Sequence, residues 1–146
     1  MKGRPMIHKK YLLPSLALMF CFVLPLTAQT KPHHVLFALS SDDDIDWKLT
    51  LNNIRNLMSG LAPESVEVEV VAFGPGISFL KKDSAEASEI AALELKHVRF
   101  VACETAMHKA NLSLVDLDSG VETVPSGIVE VVRRKEQGWT YIKAGR

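Results

Sequence analysis

The sequence predicts an α/β fold, with a mainly parallel five-stranded sheet sandwiched between helices. Three observations carry that expectation. Short apolar runs alternate with helix-period segments along residues 29–146, an order that calls for parallel strands joined by right-handed crossovers with helices on both faces. The last strand candidate follows a helix that Gly138 stops, so the alternation ends on a strand. The 118 residues beyond position 28 contain no repeat, linker or low-complexity tract, as suits one domain able to bury a core.

Residues 1–28 stand apart from this pattern. Lys2, Arg4, Lys9 and Lys10 form a basic start, Tyr11 to Leu26 is free of charge, and Leu26-Thr27-Ala28 ends in the small residue that signal peptidase needs. The expectation is a cleaved secretory signal and a bacterial periplasmic destination. The competing reading is an uncleaved anchor, because the apolar stretch of 16 residues comes close to the roughly 17 to 25 that span a bilayer; Pro14 and Pro25 within it favour cleavage, after which no membrane attachment is expected. A lipidated Cys21 is disfavoured because bulky Phe20 stands where a small residue is needed. Four of the 17 basic residues leave with the signal, so 13 face 17 acidic ones and the net charge becomes −4. Lys81-Lys82 and Arg133-Arg134-Lys135 are short basic runs; nucleic acid is not an expected partner.

His34 to Ser40 reads as the first strand, followed by Ser41-Asp42-Asp43-Asp44. Carboxylates there cap the next helix and oppose its dipole, and they lack the alternating spacing of a calcium loop. No metal or cofactor is expected. Ile45 to Gly60 carries Leu51, Ile54, Met58 and Leu61 at helical spacing, with Gly60 placed as a C-cap. Val66-Glu67-Val68-Glu69-Val70 alternates and continues to Phe73, predicting a second strand with a buried face and a charged one.

Gly74-Pro75-Gly76 then makes a turn in which backbone can approach a neighbour closely. It lacks the glycine pattern and lysine of a nucleotide loop. Ile77 to Lys82 adds a helical turn, and Asp83-Ser84-Ala85-Glu86 predicts a capping box for a helix reaching Lys96, with Ile90, Ala91 and Leu95 inward. Val98 to Ala102 is the third strand and Glu104 to Ala110 a short helix. Leu114 to Leu117 gives a further turn, Val121 to Val124 the fourth strand, Ile128 to Gln137 a helix after Pro125-Ser126-Gly127, and Trp139 to Ile142 the fifth strand.

Cys103 lies where the third strand meets its helix, and removal of the signal with Cys21 leaves it the sole cysteine of the mature chain. No internal disulfide can form. Unpaired N–H groups and the helix dipole favour a thiolate at such a joint, whereas a lone cysteine can equally be a small buried apolar residue. In parallel sheets reactive groups gather beyond the carboxyl ends of the strands, near a topological switch point. Cys103, Gly74 to Gly76 and Pro125 to Gly127 all fall at such ends. Glu104 is expected to point outward, and Thr105 with the first-turn N–H groups is the better candidate for holding a sulfur anion. His97 and His108 are read as surface residues, and no nucleophile elbow surrounds Ser126.

His34-Val35-Leu36-Phe37, Asn52 to Leu57, Val70 to Gly76, Val101-Ala102-Cys103, Val124 to Gly127 and Gly138 to Ile142 resemble, in these positions and this order, the DsrE/DsrF-like family. The resemblance implies a three-layer α/β/α fold, homo- or hetero-oligomers and, in sulfur-relay members, one cysteine after the third strand that carries sulfur as a persulfide. Cys103 matches that cysteine. Sulfur-relay members work in the cytoplasm, so their particular donors and acceptors are not carried over to a chain with an export signal. The expected function is an exported sulfur carrier, at most a sulfurtransferase-type activity, with a donor and an acceptor protein as partners. The alternatives are a non-catalytic ligand-binding or assembly module and a redox sensor paired through Cys103.

Overall fold

The computed structural model describes Gly3 and residues 31–145; apart from Gly3, the expected signal segment and Cys21 lie outside the described residues. The elements run β1 (His33–Leu39), α1 (Asp44–Leu61), β2 (Val66–Ala72), a 3₁₀ segment (Gly74–Leu80), α2 (Ala87–Glu94), β3 (Arg99–Cys103), α3 (Glu104–Lys109), a second 3₁₀ turn (Leu114–Asp116), β4 (Glu122–Val124), α4 (Gly127–Glu136) and β5 (Thr140–Ala144). The sheet order is β4-β3-β2-β1-β5 with every pair parallel.

This order explains the layers. The chain steps from β1 through β4 in one direction, then crosses the whole sheet to β5, and right-handed crossovers therefore place α4 on the face opposite α1, α2 and α3. Side chains divide accordingly, since successive strand residues point to opposite faces. Val35, Phe37, Val70, Phe100 and Ala102 pack with Leu51, Ile54, Ile90, Leu93 and Met107 in the larger core. Leu36, Ala38, Val71 and Val101 meet Val131 of α4 in the smaller one. Phe37, Phe79 and Phe100 are almost wholly enclosed, and each such burial contributes about 1.5–3 kcal/mol.

The aspartate cap forms as expected. Asp43 accepts the Ile45 N–H at 2.8 Å, and Lys48 donates to Asp44 at 3.1 Å. Three details depart from the sequence reading. Gly60 lies inside α1 rather than capping it; the helix stops at Ala62, whose ψ of 138° is the extended geometry that a following proline, Pro63, favours. No capping box forms at Asp83–Glu86: Asp83 pairs with Lys81 at 3.0 Å, and Glu86 is the N-cap without a side-chain bond. The reciprocal box sits instead at Ser113 and Asp116. Because α2 ends at Glu94, Leu95 falls past the helix and is 85% exposed, while Leu93 takes the buried place.

The largest departure is Glu69. Alternation put it on a charged, solvated face, but it is fully buried under α4. Arg99 Nη1 reaches its carboxylate at 2.5 Å and Arg134 Nη2 at 2.7 Å. Glu130 and Glu122 hold those arginines from the other side, at 2.8 Å and 2.6 Å, and the Arg134 guanidinium lies 4.8 Å from the Trp139 ring centre.

Candidate functional site

The carboxyl ends of β2, β3 and β4 are neighbours in the sheet, so the loops that follow them stand side by side. Cys103 closes the middle strand. It is the N-cap of α3, with extended φ −78° and ψ 113° and no side-chain capping bond, and only 5% of it is exposed. It is one of the residues around a depression of about 160 Å³ that Phe73, Gly74, Thr105, Ala106, Lys109, Ser126 and Ile128 also line. A second depression of about 420 Å³ adjoins it through the shared residues Gly74, Ala106 and Lys109.

The residues expected at this edge take different parts. Gly74 (φ +54°), Thr105 and Ser126 line the depression with Cys103, and Pro75 lines the adjoining one. Gly76 is a packing residue, because a Cβ there would stand 2.6 Å from the Leu39 carbonyl oxygen. Gly127 packs behind the cysteine: its Cβ would lie 3.1 Å from Cys103 Cβ and 2.9 Å from Phe73 Cβ. The Thr105 hydroxyl donates to the Pro125 carbonyl at 2.9 Å, tying α3 to the loop before α4 and committing the proton expected to face a sulfur anion. Glu104 is turned toward β4, where its Oε1 accepts from Thr123 Oγ1 at 2.8 Å, and it does not line the depression. His97 and His108 are exposed and also stand outside it.

Four lining residues were missed from sequence: Phe73, Ala106, Lys109 and Ile128. Ala106 and Lys109 follow Cys103 by three and six residues, a helical spacing that returns them to the side of the strand end. Lys109 alone among the lining residues carries a charge at neutral pH. Both depressions lie at the carboxyl edge of the sheet, and the inner one is away from the switch point, which lies between β1 and β5. There Gly145 (φ +88°) packs against the Asp46 carboxyl group.

The sequence model of the DsrE/DsrF-like family matches residues 33–144. A solved protein of unknown function from Methanobacterium thermoautotrophicum is similar in structure, with a TM-score of 0.73 and 37% identity over 76% of this chain and 98% of that one. No curated protein matches the chain.

Proposed function

The chain belongs to the DsrE/DsrF-like family, and from that membership we propose that it is an exported sulfur carrier that holds sulfur as a persulfide on Cys103. One observation carries the reading: the cysteine ends β3 at the depression where three loops converge. Transfer needs a Cys103 thiolate to attack a sulfane sulfur, and then a second nucleophile to remove it. A single cysteine serves both steps when donor and acceptor come from outside. With Cys103 only 5% exposed, a reactant reaches it through this open depression.

The test is intact mass after exposure to polysulfide. The expected result is gain of one sulfur atom in the wild type and complete loss of that gain in Cys103→Ser. The depth of Cys103 in the larger core supports a second reading, a non-catalytic module in which the thiol only packs. That reading stands, and the carrier falls, when no sulfur is gained and the thiol resists alkylation until urea unfolds the protein. A sensor pairing two copies through Cys103 would require both thiols to leave their cores, which weighs against it.

Residues 1–28 support export to a bacterial periplasm, and no helix among the described residues is long and apolar enough to cross a membrane. The proposed carrier is a homo-oligomer. Ile128, Val129 and Val132 of α4 are 57%, 44% and 50% exposed, an apolar strip of the kind that subunit contacts cover. Val132→Asp is expected to shift the protein to a smaller species in sedimentation, with an unchanged circular dichroism spectrum. An unaltered sedimentation coefficient removes α4 from the contact.

A further inference from the structure

The larger depression carries a feature that the carrier reading leaves unused. It is lined by Asp42, from the loop after β1, and by Lys109, at the end of α3 after β3, with Gly74, Pro75, Ile77 and Ser78 coming from the intervening strand end. Among the described residues neither the Asp42 carboxylate nor the Lys109 ammonium has an ion pair or side-chain hydrogen bond. Two residues of opposite charge thus line a partly apolar hollow of about 420 Å³, within the size range of small-molecule sites, about 300–1,000 Å³. A ligand complementary to it bears an anion and a cation on one small body, with a short apolar stem.

We propose that this depression binds the zwitterionic head of a low-molecular-weight amino-acid thiol, carboxylate to Lys109 and ammonium to Asp42, and delivers its persulfide sulfur to Cys103. The proposal rests on the carrier reading and names its substrate class. Lys109 lines both depressions and Gly74 and Ala106 are small shared walls, so a ligand head in the outer hollow has its thiol stem beside the inner one. The Cys103 thiolate attacks the terminal sulfur of R–S–SH; the S–S bond breaks, RS⁻ leaves with the electron pair and takes the proton that Cys103 released. Cys103–S–SH and RSH result, and neither an oxidant nor a reductant is consumed.

The loading rate of the purified protein is measured with cysteine hydropersulfide and with uncharged ethyl hydropersulfide, and the binding of unreactive S-methylcysteine is measured by calorimetry on Cys103→Ala. The wild type is expected to load from the cysteine donor on the order of tenfold faster. Lys109→Gln and Asp42→Asn each lower the ratio of the cysteine-donor rate to the ethyl-donor rate by about that factor, which corresponds to the loss of one modest charge contact. S-methylcysteine binding weakens by a similar factor in each charge variant. Equal rates for the two donors, or rates and binding untouched by both substitutions, overturn the proposal. Failure of both donors to load Cys103 sinks the carrier reading itself; binding of S-methylcysteine that depends on Lys109 and Asp42 would still establish the amino-acid site, and its absence would dismiss it.

Discussion

Glu69→Ala is expected to lower the unfolding free energy by about 3 kcal/mol, the lower end of the cost of breaking a buried ion pair, read as a fall in the urea midpoint. The removed carboxylate is wholly enclosed and answers two guanidiniums, so its loss leaves a cavity and two charges short of a partner. The lower end applies because Arg99 keeps Glu122 and Arg134 keeps Glu130. Glu69→Gln preserves an acceptor and should cost only about 1 kcal/mol. A midpoint unchanged in Glu69→Ala would mean that α4 is held by its apolar contacts alone. Burial pushes the Glu69 carboxyl above its ordinary value; Arg134 and Arg99 oppose this without reversing it. The native state therefore binds more protons than the unfolded chain between the ordinary and the raised value. This contribution to stability is complete below that window and is lost as pH rises through it. Glu69→Gln should abolish that part of the pH dependence.

Gly127→Ala is expected to destabilise by about 1–3 kcal/mol, as overpacking does, and to slow the sulfur loading proposed for Cys103. A methyl group there would stand 2.9 Å from Phe73 Cβ, 3.1 Å from Cys103 Cβ and 3.2 Å from Val71 Cγ1. Phe73 and Cys103 both line the inner depression, so relieving the clash alters its shape. Gly60→Ala is the control: nothing lies within 4 Å of a Cβ at that position in α1, and removing a helix glycine should stabilise by roughly 0.5–1 kcal/mol. Equal loading rates in Gly127→Ala and the wild type would show that the depression tolerates the added methyl.

The elements were legible because their signals are local. Five apolar runs, the Asp43 cap and Gly138 each announce themselves within a few residues, and the cysteine at the strand-to-helix joint is visible in the same way. What sequence could not supply is pairing across distance. The Val-Glu alternation of β2 looks solvated until Arg134, 65 residues later, is brought onto Glu69. Strand order has no local signal either, and only that order makes neighbours of Gly74, Cys103 and Ser126 or sets Asp42 and Lys109 around one hollow. Leu95 shows the limit within an element, since the helix ends at Glu94, two residues before the expected Lys96, and Leu93 holds the buried place expected of Leu95.

The placement of β5 beside β1 bears on how the molecule is made. β1 is synthesised before the other four strands yet pairs on one side only with residues Thr140 to Ala144, so during synthesis its second edge stays open until β5 follows. An open edge of Val35, Leu36, Phe37, Ala38 and Leu39 is a template for strand addition by another molecule. A chain stalled or clipped before Thr140 would retain that edge permanently and aggregate through it, whatever the state of the cysteine.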